Sequence, residues 1–121
     1  MAAQYQICFV TAGNENNAMK IANILVEKRL AACVSVIPSL KSVYRWQGKV
    51  EKSDEFLLII KSRKTLSKDI IQTVRENHTY TVPEVVFMDI AAGNEEYLDW
   101  MGANTLFTSN IPKDKNLRKN P

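Results

Sequence analysis

The sequence predicts an α+β fold, a single antiparallel sheet of four strands with two helices on one face. Three observations predict it. Strand-like and helix-like segments follow one another as β-α-β-β-α-β over 121 residues, a length that suits one domain burying about two-thirds of its unfolded surface. The apolar period changes between about 2 and about 3.6 residues from one segment to the next. Turn residues such as Gly13-Asn14, Gln47-Gly48 and Gly93-Asn94 stand between those segments. An apolar share of 45% and a charged share of 24% are those of a globular chain and exclude the disordered class. No run approaches the roughly 18 apolar residues of a spanning helix, which argues against a membrane protein.

The first strand covers residues 4 to 12, QYQICFVTA, on its aromatic and branched content. From Glu15 to about Leu30, Ala18, Ile21, Ala22 and Leu25 recur at helical spacing and define a buried stripe. AACVSVIPSLKSVYRW is a second strand. Pro38 lacks a ladder donor and so predicts an edge position with a bulge or bend. Gln47-Gly48 turns the chain back into KVEKSDEFLLIIKS, where Phe56 to Ile60 is apolar at every position, as in a strand covered on both faces. A second helix opens near Thr65, repeats Leu66, Ile70 and Val74, and ends near Asn77. PEVVFMDIA is the fourth strand, Asn94 an N-cap, and EEYLDWM a short C-terminal helix with acids in its first turn. This is the split, ferredoxin-like βαββαβ order.

The hairpin raises a problem of size. A strand from Cys33 to Trp46 reaches roughly 46 Å at about 3.3 Å per residue, whereas a domain of this length has a diameter near 35 Å, from a radius of gyration of about 14 Å. Its far end carries Val43, Tyr44 and Trp46, costly groups to leave in water. Another copy of the chain is the natural cover, and a long strand edge favours pairing between chains.

The net charge of +3 has a location. Removing Lys113, Lys115, Arg118, Lys119 and Asp114 from the 16 basic and 13 acidic residues leaves 12 of each. The domain proper, residues 1–103, is therefore balanced, and residues 104–121 read as a flexible basic tail. The start, MAAQYQICFV, carries no basic n-region and predicts a cytoplasmic protein. Cys8 and Cys33 sit among apolar neighbours without a CxxC pattern, so neither a disulfide nor a reactive thiol is implied. Cys33 has no neighbouring cation in sequence to activate it, which argues against a Cys33–His78 catalytic pair and against an enzyme. Nucleic acid is not an expected partner, because the strands carry no stacking aromatics in a basic context and KSRKTLSK reads as a solvated helix start.

RLAACVSVIPSLKSVYRWQGKVEKSDEFLLIIKS, HTYTVPEVV and GNEEYLDWM closely resemble the CutA family of divalent-ion tolerance proteins, over about Val10 to Met101. The resemblance implies a ferredoxin-like fold assembled as a homotrimer through long hairpins, with an architecture similar to PII signalling proteins. The family segment His-Pro-Tyr-Glu-x-Pro-Glu is matched by His78, Tyr80, Pro83 and Glu84, with Thr79 and Thr81 replacing the proline and the acid. Asn77 stands where some relatives have a further histidine, and Val10 where some have a cysteine.

The resemblance implies an intersubunit cleft lined by Cys33, Tyr44, Trp46, Lys61, Tyr80 and Glu84, with His78 as metal ligand. Copper or another divalent metal ion is the cofactor it implies, since imidazole and thiolate both suit copper and zinc. A lone histidine does not make a site, so His78 must be joined by Glu84, Cys33 or groups of a neighbouring copy, or else be a hydrogen-bonded cleft residue. The expected function is a homotrimeric, non-enzymatic divalent-cation tolerance protein. The alternative is a PII-like small-ligand sensor or a scaffold for another protein, for which the cleft's aromatics, cation and carboxylate would suit a small anionic or polar ligand.

Overall fold

The computed structural model describes residues 4–108. Strand β1 (Tyr5–Ala12) leads through Asn14 into helix α1 (Glu15–Glu27). The Asn14 side chain accepts from the Asn17 amide at 2.8 Å, satisfying one orphan N–H of the first turn. Ala18, Ile21, Ala22 and Leu25 are all buried, as their spacing requires. The helix stops earlier than the sequence pattern suggests, because Arg29 adopts φ 61° and reverses the chain there.

Strands β2 (Cys33–Trp46) and β3 (Lys49–Arg63) form the long hairpin. Gln47 and Gly48 both have positive φ, 51° and 80°, the geometry of a two-residue turn whose twist matches the flanking strands. The ladder slips between Ile37 and Leu40. That bulge holds Pro38 and the left-handed Ser39, φ 65°, so the proline's missing donor falls where no ladder bond is made. A short 3₁₀ turn at Lys64–Leu66 precedes α2 (Ser67–Asn77), followed by β4 (Val85–Asp89) and α3 (Glu95–Ala103). Asn94 caps α3 by accepting from the Glu96 amide at 3.0 Å.

All strand pairs are antiparallel, in the order β2-β3-β1-β4. One sheet face carries Cys8, Val10, Leu58 and Ile60, which pack beneath α1 and α2 with Leu25, Ile70 and Val74 to make the core. The other face carries Phe9, Leu57, Ile59 and Ile37, aligned by cross-strand pairing. Helix α3 covers only one end of that second face: Arg63 Nη2 donates to the Gly102 carbonyl at 2.9 Å, and a Cβ on Gly102 would meet the Tyr5 hydroxyl. Leu57 and Ile59 are consequently half-buried, and Ile37, Val86 and Met88 are exposed. The covering of β3 on both faces that its apolar run suggests is thus incomplete within one chain.

Residues just after α3 pack onto the domain: Thr105 is buried, the Leu106 amide donates to Arg29 O at 2.9 Å, and Thr65 Oγ1 donates to the Phe107 carbonyl at 3.0 Å. The rest of the basic tail, 109–121, lies outside the described residues. No helix among the described residues is long and apolar enough to cross a membrane.

Candidate functional site

The hairpin and the segment leading into β4 enclose a groove of about 620 Å³. Ser42, Tyr44 and Trp46 line one side, Tyr80, Val82 and Glu84 the other, and Glu55 lies between them. Period-2 alternation explains the first side, since residues 42, 44 and 46 share one face of β2. The second side needs tertiary support, because residues 78–84 form no regular element.

His78 supplies that support. It follows the last residue of α2 with extended backbone, φ −88° and ψ 147°. Its Nδ1 accepts from the Tyr80 amide at 3.0 Å, and its Nε2 lies 2.7 Å from the Thr11 carbonyl. A nitrogen that accepts from an amide carries no proton, so Nε2 holds it and donates to Thr11. Both ring nitrogens are thereby occupied in tying the loop to the end of β1. Asn17, buried in α1, adds a clamp: its Nδ2 donates to the Asn77 carbonyl at 2.9 Å and its Oδ1 accepts from the Thr79 amide at 3.4 Å.

Tyr80 then reaches across the groove. Its ring lies 4.7 Å from that of His78, and its hydroxyl donates to Glu55 Oε2 at 2.8 Å. Burial first, and then the Glu55 carboxylate, push the Tyr80 phenol up to about 12. Gly13 makes room, since a Cβ there would approach the Tyr80 hydroxyl oxygen to 2.9 Å. On the hairpin side, Tyr44 and Ser53 hydroxyls pair at 2.8 Å.

Cys33 and Lys61 lie elsewhere. They are direct cross-strand partners. Lys61 Nζ sits 3.7 Å from Cys33 Sγ and 3.2 Å from Ser35 Oγ, so Cys33 does have a neighbouring cation, one that sequence adjacency hides. Lys61 also lines a separate cavity of about 390 Å³ with Tyr97, Leu98 and Met101 of α3. Within one chain, Tyr44, Trp46, Tyr80 and Glu84 are brought together, His78 braces them from behind, and the Cys33–Lys61 pair stands apart. Cys8 shares the face of Val10, in the core.

Glu55, Thr11 and Asn17 were not singled out by the sequence. Glu55 carried a usable signal, a carboxylate in phase with Leu57 and Ile59 and immediately before the apolar run Phe56 to Ile60. Among the described residues no group of three His, Cys, Asp or Glu side chains gathers to hold a metal ion. Imidazole ligates through a free lone pair, and His78 must give up a hydrogen bond to offer one. One chain therefore fits a divalent metal only partly, through the Glu55 and Glu84 carboxylates that reach the groove. Replacing His78 by alanine should remove both ties and lower unfolding free energy by about 1–3 kcal/mol; a urea midpoint equal to wild type would show that the ties carry no stability.

A four-stranded antiparallel sheet in the order β2-β3-β1-β4, with α1 and α2 on one face and an extended hairpin, defines the class as a small ferredoxin-like α+β protein. The profile of the family described as CutA1 divalent ion tolerance protein matches residues 6–104, and the chain belongs to that family. It is 46% identical over 100 residues to the divalent-cation tolerance protein CutA of Thermus thermophilus, covering 83% of this chain and 97% of the relative. It is 42% identical to the chloroplastic protein CutA of Arabidopsis thaliana over 82% of this chain, but spans only 54% of that relative. Among solved structures, the Thermus thermophilus Cut A1 protein superposes with a TM-score of 0.82, covering 84% of this chain and 98% of that one. CutA1 from Oryza sativa gives 0.85 at 38% identity, covering 88% and 97%.

Proposed function

We propose that this chain works as a homotrimeric, non-enzymatic divalent-cation tolerance protein of the cytoplasm, with a cation site completed only where subunits meet. The observation that carries the reading is the partly covered second face of the sheet. Phe9, Leu57 and Ile59 form an apolar strip continuous with exposed Ile37, Val86 and Met88. Beyond it, on the same face of the hairpin, Tyr44 and Trp46 are 42% and 46% exposed. A contiguous apolar surface of this kind marks an interface, and closed symmetric homo-oligomers are the usual outcome. The family supports three copies, and the incomplete donor set of one chain supports a site shared between them.

Light scattering at micromolar concentration should give three times the 13.7 kDa chain mass; single-chain mass would overturn the assembly. Calorimetric titration of the trimer with Cu(II) or Zn(II) should show saturable binding that weakens in Glu84→Gln. Binding indifferent to Glu84 and to His78→Ala, or no binding at all, would remove the cation site from this groove.

A further inference from the structure

We propose that the end of the domain from which residues 109–121 continue is a docking surface for an anionic lipid bilayer. The groove and the helix-free face of the sheet take no part in it.

The sheet register sets this end apart. Tyr5 pairs with Arg63 at one end of β1 and Ala12 with Phe56 at the other, beside the groove. Ser62 Oγ donates to the Leu30 carbonyl and the Lys64 amide to the Gln4 carbonyl, which puts the end of α1 and the start of α2 at the Tyr5 end. Lys28 and Arg29 follow α1, Lys64 leads into α2, and Lys68 lies in its first turn; all four are exposed. Residues 103–107 are stitched between these two pairs. Arg29 Nη2 donates to the Ala103 carbonyl at 3.0 Å, the Leu106 amide to Arg29 O at 2.9 Å, and Thr65 Oγ1 to the Phe107 carbonyl at 3.0 Å. The acids on the same segments are exposed Glu27, buried Asp69, and Asp89, which lies 3.0 Å from Lys64 Nζ.

Beyond Thr108 the sequence adds Lys113, Lys115, Arg118 and Lys119 against Asp114. Lys113 is five positions past Thr108 and so stays within about 18 Å of it, at no more than about 3.6 Å per residue. The basic residues of the tail and of the domain end therefore act on one surface. Their like charge excludes the tail, or the same end of a second copy, as its cover. Apolar groups among the cations favour a bilayer over other polyanions. Phe107 is 75% exposed, with the Arg63 guanidinium 5.1 Å from its ring, and Ile111 and Leu117 alternate with the basic residues of the tail. At a membrane interface such side chains enter the acyl boundary while Lys and Arg stay among anionic headgroups. A nucleic-acid backbone meets the cations but offers no apolar medium to Ile111 and Leu117.

The test is co-sedimentation of the full chain with vesicles at about 0.15 M salt, where the Debye length is about 8 Å. Vesicles of phosphatidylcholine alone are compared with vesicles of phosphatidylcholine and phosphatidylserine in equal parts. We expect binding to the serine-containing vesicles only, lost at about 1 M salt. Each basic residue near an anionic surface contributes about fivefold, so Lys28→Gln with Lys68→Gln should weaken binding about tenfold or more. Neutralising Lys113, Lys115, Arg118 and Lys119 to glutamine should weaken it further still, and Phe107→Ser should weaken it with every charge in place. Equal binding to both vesicles, absence of binding, indifference to either set of glutamine substitutions, or tighter binding to a short duplex DNA would each overturn the proposal. Vesicle binding by a preparation of single-chain mass would uphold it while the trimer reading failed, and a trimer without vesicle binding would do the reverse.

Discussion

Replacing Ile59 with aspartate should convert a trimer into single chains that remain folded. Ile59 lies on the sheet face away from α1 and α2, flanked by Phe9 on β1 and Ser35 on β2. It is half-buried in the chain, so the aspartate reaches water in the monomer. The core residues Leu58 and Ile60 point the other way and are untouched. In an assembly that covers this face, each new carboxylate would be buried without a partner, at a cost of several kcal/mol. At about 1.4 kcal/mol per factor of ten, association weakens by well over a hundredfold for each site. Light scattering then falls to the mass of one chain while far-ultraviolet circular dichroism is unchanged. A variant that still scatters as a trimer would place the interface elsewhere.

What the sequence made legible follows from the range of the interactions. Helix α1 was readable because Ala18, Ile21, Ala22 and Leu25 fall within one local period, and all are buried. The Gln47-Gly48 turn was readable because its backbone geometry is a property of two adjacent residues. Pro38 announced the bulge because a missing donor is a local fact. By contrast, Cys33 and Lys61 are 28 positions apart and meet only through the register of the hairpin, which no local pattern encodes. The bracing role of His78 depends on a carbonyl 67 residues away, at Thr11, so this second role of the ring has no local signature in the sequence. The role of Glu55 stays hidden because its partner, Tyr80, crosses the groove from a segment without regular structure.

Raising the pH should destabilise the chain through Cys8 more steeply than through any groove residue. Burial in the core pushes the Cys8 thiol from an ordinary value of 9.0 up to about 12, with the Glu84 charge adding to the rise. Below pH 9 the thiol is neutral in folded and unfolded chains alike, and its full contribution to stability is present. Between pH 9 and 12 the unfolded chain releases the proton while the folded chain retains it, so the unfolded state is favoured progressively. A tenfold difference in acidity between the two states corresponds to about 1.4 kcal/mol, which puts the loss across that window on the order of 4 kcal/mol. Tyr80 also titrates high, near 12, but it is only half-buried, and solvent screening reduces its share. Cys8→Ala should therefore flatten the fall of urea-unfolding free energy above pH 9, while Tyr80→Phe changes it little. The alanine variant starts from a lower plateau because it leaves a small core cavity, so slope rather than absolute stability is the informative quantity. Equal slopes in wild type and Cys8→Ala would mean that the thiol ionises in the folded chain as readily as in the unfolded one, and that the sheet beneath α1 and α2 opens locally at alkaline pH.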